Sequence, residues 1–220
     1  ADTLSALKLG KEIGADTLAA VNVSGSSIDR EAKMSVKTLA GPEISVCSTK
    51  AYMVQCAFMY MFAFRLAYAR GRIDKAKCAE YTEKLLQIPE LIQECINRKE
   101  QYQRVAAKLV NASSLLYIGR GLDYALSMEG SLKLKEISYI HSESYAGGEL
   151  KHGTISLVDD EMPVIAVATQ TALYPKTASN VEQVKSRGAK TVVICRDSAD
   201  VNQNIADHII KLPETYDHRM

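Results

Sequence analysis

An α/β fold, with parallel sheets flanked by helices, is predicted by three features of this sequence. Short apolar runs bounded by turn residues alternate with helix-patterned stretches, a Gly119-Arg120-Gly121 turn follows one such run, and a glycine-free, charge-rich stretch over 74–110 separates two α/β regions. Strands that alternate with helices need crossover connections, and these cover a parallel sheet on both faces. At 220 residues the chain makes one large domain or two small ones. It can bury about 70% of its unfolded surface, so a core needs neither disulfides nor a metal.

The elements follow in order. Leu4, Leu7 and Ile13 lie on a helical pattern that Gly14 closes, since glycine readily takes the left-handed cap. Leu18 to Val23 is an apolar run ended by Ser24-Gly25-Ser26-Ser27 and reads as a buried strand, with a second over Val36 to Leu39. A long helix starts at Ser48-Thr49 and ends before Gly71; it is apolar on nearly all sides, the mark of a helix buried in a larger body. Asp74 to Leu86 and Glu90 to Val110 read as two helices parted at Pro89. Leu115 to Ile118 is a strand, and Asp123 caps a helix running to Tyr139. Val164 to Thr169 is a strand, Lys176 to Arg187 a helix closed by Gly188, and Thr191 to Cys195 and His208 to Leu212 the last strands.

The first helix begins at once with no strand before it, Ala1 is no initiator Met, and His218-Arg219-Met220 follow the last strand without a closing helix. The sequence therefore reads as part of a longer chain. A formal charge of +1, from 27 Lys plus Arg and 26 Asp plus Glu, argues against a dedicated nucleic-acid binder. The apolar stretch Ala51 to Ala69 is interrupted by Gln55 and Arg65, and its uninterrupted core falls far short of the roughly 20 residues that span a bilayer. No secretory leader is visible. Cys47, Cys56, Cys78, Cys95 and Cys195 are odd in number and unpatterned, which suits reduced, mostly buried thiols in the cytoplasm. His141, His208 and His218 show no ligand pattern with carboxylates or thiols, so no metal is expected.

The helix after Gly121 concentrates the candidate chemistry. Glu129, Lys133 and Glu136 fall within an arc of about 60° at helical periodicity, bordered by Leu126, Leu132 and Ile140, with Ser131, Lys135 and Ser138 opposite as a small polar face. Such spacing makes i, i+3 and i, i+4 ion pairs. It also suits a carboxylate acid/base beside a lysine that tunes it or holds a substrate anion. His152, with glycines on both sides in Gly147-Gly148-Glu149-Leu150-Lys151-His152-Gly153, is either a solvated loop residue or an imidazole placed for proton transfer. Ser48 or Thr49 serves as a plain N-cap, although free N–H groups at that helix start also suit a phosphate or a sugar hydroxyl. Gly119-Arg120-Gly121 is similar to a phosphate-cradling turn but lacks the full glycine pattern.

Taken together, Leu126-Ser127-Met128-Glu129-Gly130-Ser131-Leu132-Lys133-Leu134-Lys135-Glu136, the continuation through His141 to Gly153, Val46-Cys47-Ser48-Thr49-Lys50-Ala51 and Gly119-Arg120-Gly121 closely resemble one family. It is the isomerase half of glutamine–fructose-6-phosphate aminotransferase, built of paired sugar-isomerase (SIS) domains, and the likeness covers essentially the whole chain. The resemblance implies two tandem SIS-type domains, the first truncated at its N-terminus. Residues 1–72 would be the later part of the first, 73–110 a helical connector and 111–220 the second, lacking its C-terminal tail.

By the same resemblance, Glu136 moves the proton between C1 and C2 of a hexose 6-phosphate, and Lys133 and Glu129 are polar residues of that site. His152 assists ring opening from the partner subunit of a homodimer, and Val46 and Ser48 contact the sugar phosphate. No cofactor is implied. The family's main phosphate loop would precede Ala1 and its Schiff-base lysine would follow Met220, so the chain is expected to be inactive alone. A related fructosamine-phosphate deglycase or sugar-phosphate isomerase, and a non-catalytic sugar-phosphate-binding module, are the alternative readings.

Overall fold

The apolar runs of the second half become the strands of one parallel sheet in the computed structural model, which describes residues 2–215. In chain order these are β3 (Ser114–Gly119), β4 (His141–Ala146), β5 (Pro163–Ala168), β6 (Lys190–Arg196) and β7 (His208–Leu212), arranged β4-β3-β5-β6-β7. Leu116 pairs with Val164, and Val164 with Thr191. All six residues of β5 are buried, as a central strand covered on both faces requires.

Strand alternation sorts the core into two layers. Leu116, Ile118, Val164, Ala166 and Val193 meet Val181 and Val184 of helix α7 (Tyr174–Lys185). Leu115, Ile165, Val192 and Ile210 face the other way, against Val105 of α5 (Lys99–Leu109) and Leu134 of α6 (Leu122–Ser138). Each fully buried aliphatic side chain contributes about 1.5–3 kcal/mol, so this sheet is where stability concentrates.

The first half is lighter. Helix α1 (Asp2–Glu12) precedes strand β1 (Leu18–Val21), which pairs in parallel with β2 (Met34–Lys37) across a short helix, α2 (Ser27–Glu31). The strand read over Val36 to Leu39 lies two residues earlier. Beyond Thr38 the Asn22 side chain takes over, accepting from the Ala40 amide and donating to Gly41 O, and Leu39 turns out to φ +56°.

Helix α3 (Thr49–Ala69) has the bounds its sequence suggests but not the burial: none of its residues is buried, and Met53, Met59, Met61, Phe62 and Leu66 are exposed. Two short strands and two short helices offer too little surface to enclose 21 residues. Its ring contact with the next helix is Phe64 on Tyr81, 4.8 Å between centroids. No helix among the described residues is long and apolar enough to cross a membrane.

Pro89 does not break its helix. Helix α4 runs from Lys75 to Asn97 with Pro89 inside it, tolerating the missing amide hydrogen bond. The break falls at Arg98, at φ −89°, ψ 15°, whose guanidinium grips Asp197 with two bonds of 2.8 Å. The chain forms two compact units, residues 1–86 and 87–220, and the division falls inside α4. Of the five thiols only Cys47 and Cys195 are buried; the other three are half-buried, because they lie on α3 and α4 outside the main sheet.

Candidate active site

Helix α6 owes its position to glycine. A β-carbon on Gly119 would lie 2.5 Å from the backbone carbon and oxygen of Asp123, and one on Gly121 would sit 3.2–3.3 Å from Leu173 and Gln170. Gly121 also holds φ +56°, ψ −126° at the N-cap position, a conformation costly for any L side chain. The helix can therefore start directly off the end of β3. Asp123 is not its cap. The Asp123 side chain turns inward at 1% exposure and accepts from the Thr169 and Gln170 amides (3.0 and 3.2 Å) and the Thr169 hydroxyl (2.5 Å).

The inner face of α6 is small and polar. Ser127 and Ser131 are 0% and 2% exposed. The Ser127 hydroxyl donates to Asp123 O at 2.7 Å, and Ser131 and Ser142 of β4 share a 2.9 Å hydroxyl bond. Ser131, read from sequence as part of a solvent-facing polar stripe, is thus an interior contact that lets helix and sheet approach closely.

The opposite face carries Glu129, Lys133 and Glu136 together. The Lys133 ammonium lies 2.9 Å from Glu136 Oε2 and 3.3 Å from Glu129 Oε1. The Glu136 carboxylate, with Glu129 behind it, holds Lys133 above its ordinary pKa despite partial desolvation. Side-chain exposures of 20–27% and exposed neighbours Leu126 and Leu132 make a charged centre within an apolar rim. Such a face holds a carboxylate at a fixed position beside a cation, and a positioned carboxylate is a group able to act as an acid/base.

His152 ends the short 3₁₀ turn Leu150–His152, anchored by Leu150 at 0% exposure, while the imidazole is exposed. Among the described residues no hydrogen bond or ion pair joins it to the α6 trio. Val46 and Ser48 belong to the other unit. Val46 is 83% exposed beside buried Cys47. Ser48 takes the N-cap position of α3 in the left-handed region, φ 49°, ψ 39°, without a side-chain cap bond. The plain N-cap reading therefore fails: the backbone turns in a way that keeps the hydroxyl from the first-turn amides. A non-glycine residue held there costs about 1–3 kcal/mol. The inward role of Asp123, Ser127 and Ser131 escaped the sequence reading, although their i, i+4, i+8 spacing of small polar groups was the available signal. His218 lies outside the described residues.

This doubly covered parallel sheet, with an acid/base-capable helix beside it, defines a SIS domain: that family's model matches residues 108–218, and the chain belongs to the SIS family. It is 45% identical over 215 residues to glutamine–fructose-6-phosphate aminotransferase (isomerizing) of Caldanaerobacter subterraneus subsp. tengcongensis, and 46% identical over 215 residues to that of Clostridium tetani. Both matches take in 98% of this chain and 35% of the relative, so the chain spans about a third of the length of these curated relatives. The C-terminal domain of glucosamine-fructose-6-phosphate aminotransferase from Francisella tularensis superimposes with TM-score 0.91 at 33% identity, over 98% of this chain and 61% of that one. A putative phosphosugar isomerase from Clostridium difficile 630 shares the fold at TM-score 0.81 and 19% identity.

Proposed function

We propose that this chain is the sugar-phosphate-isomerising part of a glutamine–fructose-6-phosphate aminotransferase, and that its α6 face carries the proton transfer. The carrying observation is the Glu129–Lys133–Glu136 cluster on the outward face of a helix fixed at its start by glycine turns. Glu136, 2.9 Å from the Lys133 ammonium, takes the proton from C1 or C2 of an open-chain hexose 6-phosphate and returns it to the neighbouring carbon. As the proton reaches Glu136, the negative charge passes to the oxygen of the resulting enediolate, and Lys133 is freed to stabilise it. Glu129 keeps Lys133 oriented through that exchange.

Val46 and Ser48 contact the sugar phosphate, and His152 assists ring opening in the site of a second copy, so the working assembly is a cytoplasmic homodimer. Residues 1–72 and 111–220 act as two successive SIS domains joined by the helical stretch 73–110. The 220-residue chain by itself binds hexose 6-phosphate weakly and does not turn it over; the 20–27% side-chain exposure of Glu129, Lys133 and Glu136 leaves their charged groups open to water.

The test is solvent deuterium incorporation at C1 and C2 of fructose 6-phosphate by the complete parent protein, with and without Glu136→Gln. Exchange that survives the substitution removes Glu136 from this role. Calorimetry with glucosamine 6-phosphate on residues 1–220 tests the second statement, which micromolar binding overturns.

A further inference from the structure

In a parallel sheet of order β4-β3-β5-β6-β7, the connections after β3 and β5 leave toward opposite faces. α6 lies with one core layer and α7 with the other. The crevice between the carboxyl ends of two such strands is where open α/β sheets receive the anionic part of a ligand. Here that place is filled. The Asp123 carboxylate, 1% exposed, lies across it with Oδ2 on the amides of Thr169 and Gln170 and Oδ1 on the Thr169 hydroxyl. The three bonds come from the loop directly after β5, and all three donors are neutral. A second strut, Gln170 Nε2 to Arg120 O at 2.7 Å, ties the same two loops.

Two observations mark this as more than an ordinary buried polar contact. A buried carboxylate normally has a cationic partner, yet the nearby guanidinium of Arg120 is turned away, its Nε donating to Asn180 Oδ1 at 3.0 Å. The three donors converge as they would on a free oxyanion, two successive backbone amides on one oxygen and the Thr169 hydroxyl on the other. Asp123 itself sits in the first turn of α6, where the helix dipole favours negative charge.

We propose that Asp123 is an internal ligand: its carboxylate occupies the oxyanion position of the second unit's own sheet. The loops after β3 and β5 are thereby locked together, and this crevice is closed to substrate. The site left when the side chain is removed would accept a small carboxylate. The inference does not depend on the proposed reaction at Glu136.

The experiment uses the 220-residue chain. Asp123→Ala deletes the carboxylate alone, so thermal unfolding is followed in formate against chloride at matched ionic strength. The expected result is a lowered midpoint that formate, and not chloride, restores saturably, with the wild type indifferent to the choice of anion. A variant that responds to the two salts as the wild type does overturns the proposal. Should Asp123→Ala fail to fold, Asp123→Asn keeps the shape and removes the charge. Amide hydrogen exchange at Thr169 and Gln170 should then rise about ten- to a hundredfold, the factor matching loss of a charged hydrogen bond; unchanged exchange overturns the proposal. In the wild type, neither inorganic phosphate nor glucosamine 6-phosphate should slow exchange at these two amides, and protection by either would equally overturn it.

Discussion

Helices α3 and α6 make an instructive pair. Both carry apolar residues on several sides, and hydropathy alone ranks α3 as the more deeply buried. The structure reverses that order. The 21-residue α3 buries none of its residues, while the 17-residue α6 buries Asp123, Ser127 and Ser131, all polar. What a helix buries is decided by the surface the rest of the chain sets against it. Small hydroxyls that satisfy one another can bring a helix closer to a sheet than leucines can.

The largest expected effect is chemical. In the complete parent protein, Glu136→Gln should lower ketose–aldose exchange about 10²–10⁴-fold, the usual worth of a positioned acid/base, with sugar-phosphate affinity little changed. If exchange and affinity fall together, α6 is only a scaffold and its outward face resembles that of α3.

Next comes packing within the 220-residue chain, read from urea midpoints. Ile118→Ala on β3, at 0% exposure, should cost about 2–5 kcal/mol. Leu66→Ala on α3, 45% exposed, should stay within about 0.5 kcal/mol, as surface substitutions do. Equal losses would mean that α3 is covered after all. Ser131→Ala should cost about 1 kcal/mol, the net worth of one buried hydrogen bond; a neutral or stabilising change would show that the serine pair does not hold α6 to β4.

The smallest effect is acid sensitivity in the sheet beneath α6. Burial raises the pKa of the Asp207 carboxyl, but Lys185 and the Thr191 amide and hydroxyl outweigh it and hold the pKa below the ordinary value. A depressed folded pKa contributes stability that is present above the unfolded value, about 3.9, and is lost as pH falls from there through the folded value. Stability should therefore decline below about pH 4, and Asp207→Asn should flatten that limb. An unchanged acid limb would assign the loss to other carboxylates, such as Asp197, which Arg98 likewise depresses.

The sequence pattern revealed the strands that are apolar and the helices that end at glycines: β3, β5, β6, α1 and α7 lie close to their expected positions. It concealed whatever depended on a neighbour. β4 reads His-Ser-Glu-Ser-Tyr-Ala and shows no apolar run, because it is an edge strand whose Ser142 is satisfied by Ser131 and Ser131 O on α6. Pro89 looked like a boundary because a local rule cannot know that the rest of α4 will carry it. On the site, the spacing of Glu129, Lys133 and Glu136 was visible as a helical arc, and the ion pairs now stand at those positions. Asp123 was legible as a helix-start residue but not as a strut, since Thr169 and Gln170 are more than forty positions away in the chain.

The crowding at the strand ends has a consequence for anyone cataloguing variants of this protein. A β-carbon at 119 meets the Asp123 backbone at 2.5 Å, and one at 147 meets Asn180 Oδ1 at 2.6 Å. Neither position has room for even the smallest side chain without a shift of its neighbours. In a saturation screen scored by growth, codon 119, where the obstacle is backbone, should look as intolerant as codon 136, and codon 147, where it is the Asn180 side-chain amide, somewhat less so. A parallel score of protein abundance would separate them: steady-state levels collapse when a glycine is lost and hold when the glutamate is replaced. Growth data alone would place the chemistry at the rim of the sheet rather than at the glutamate proposed to carry it.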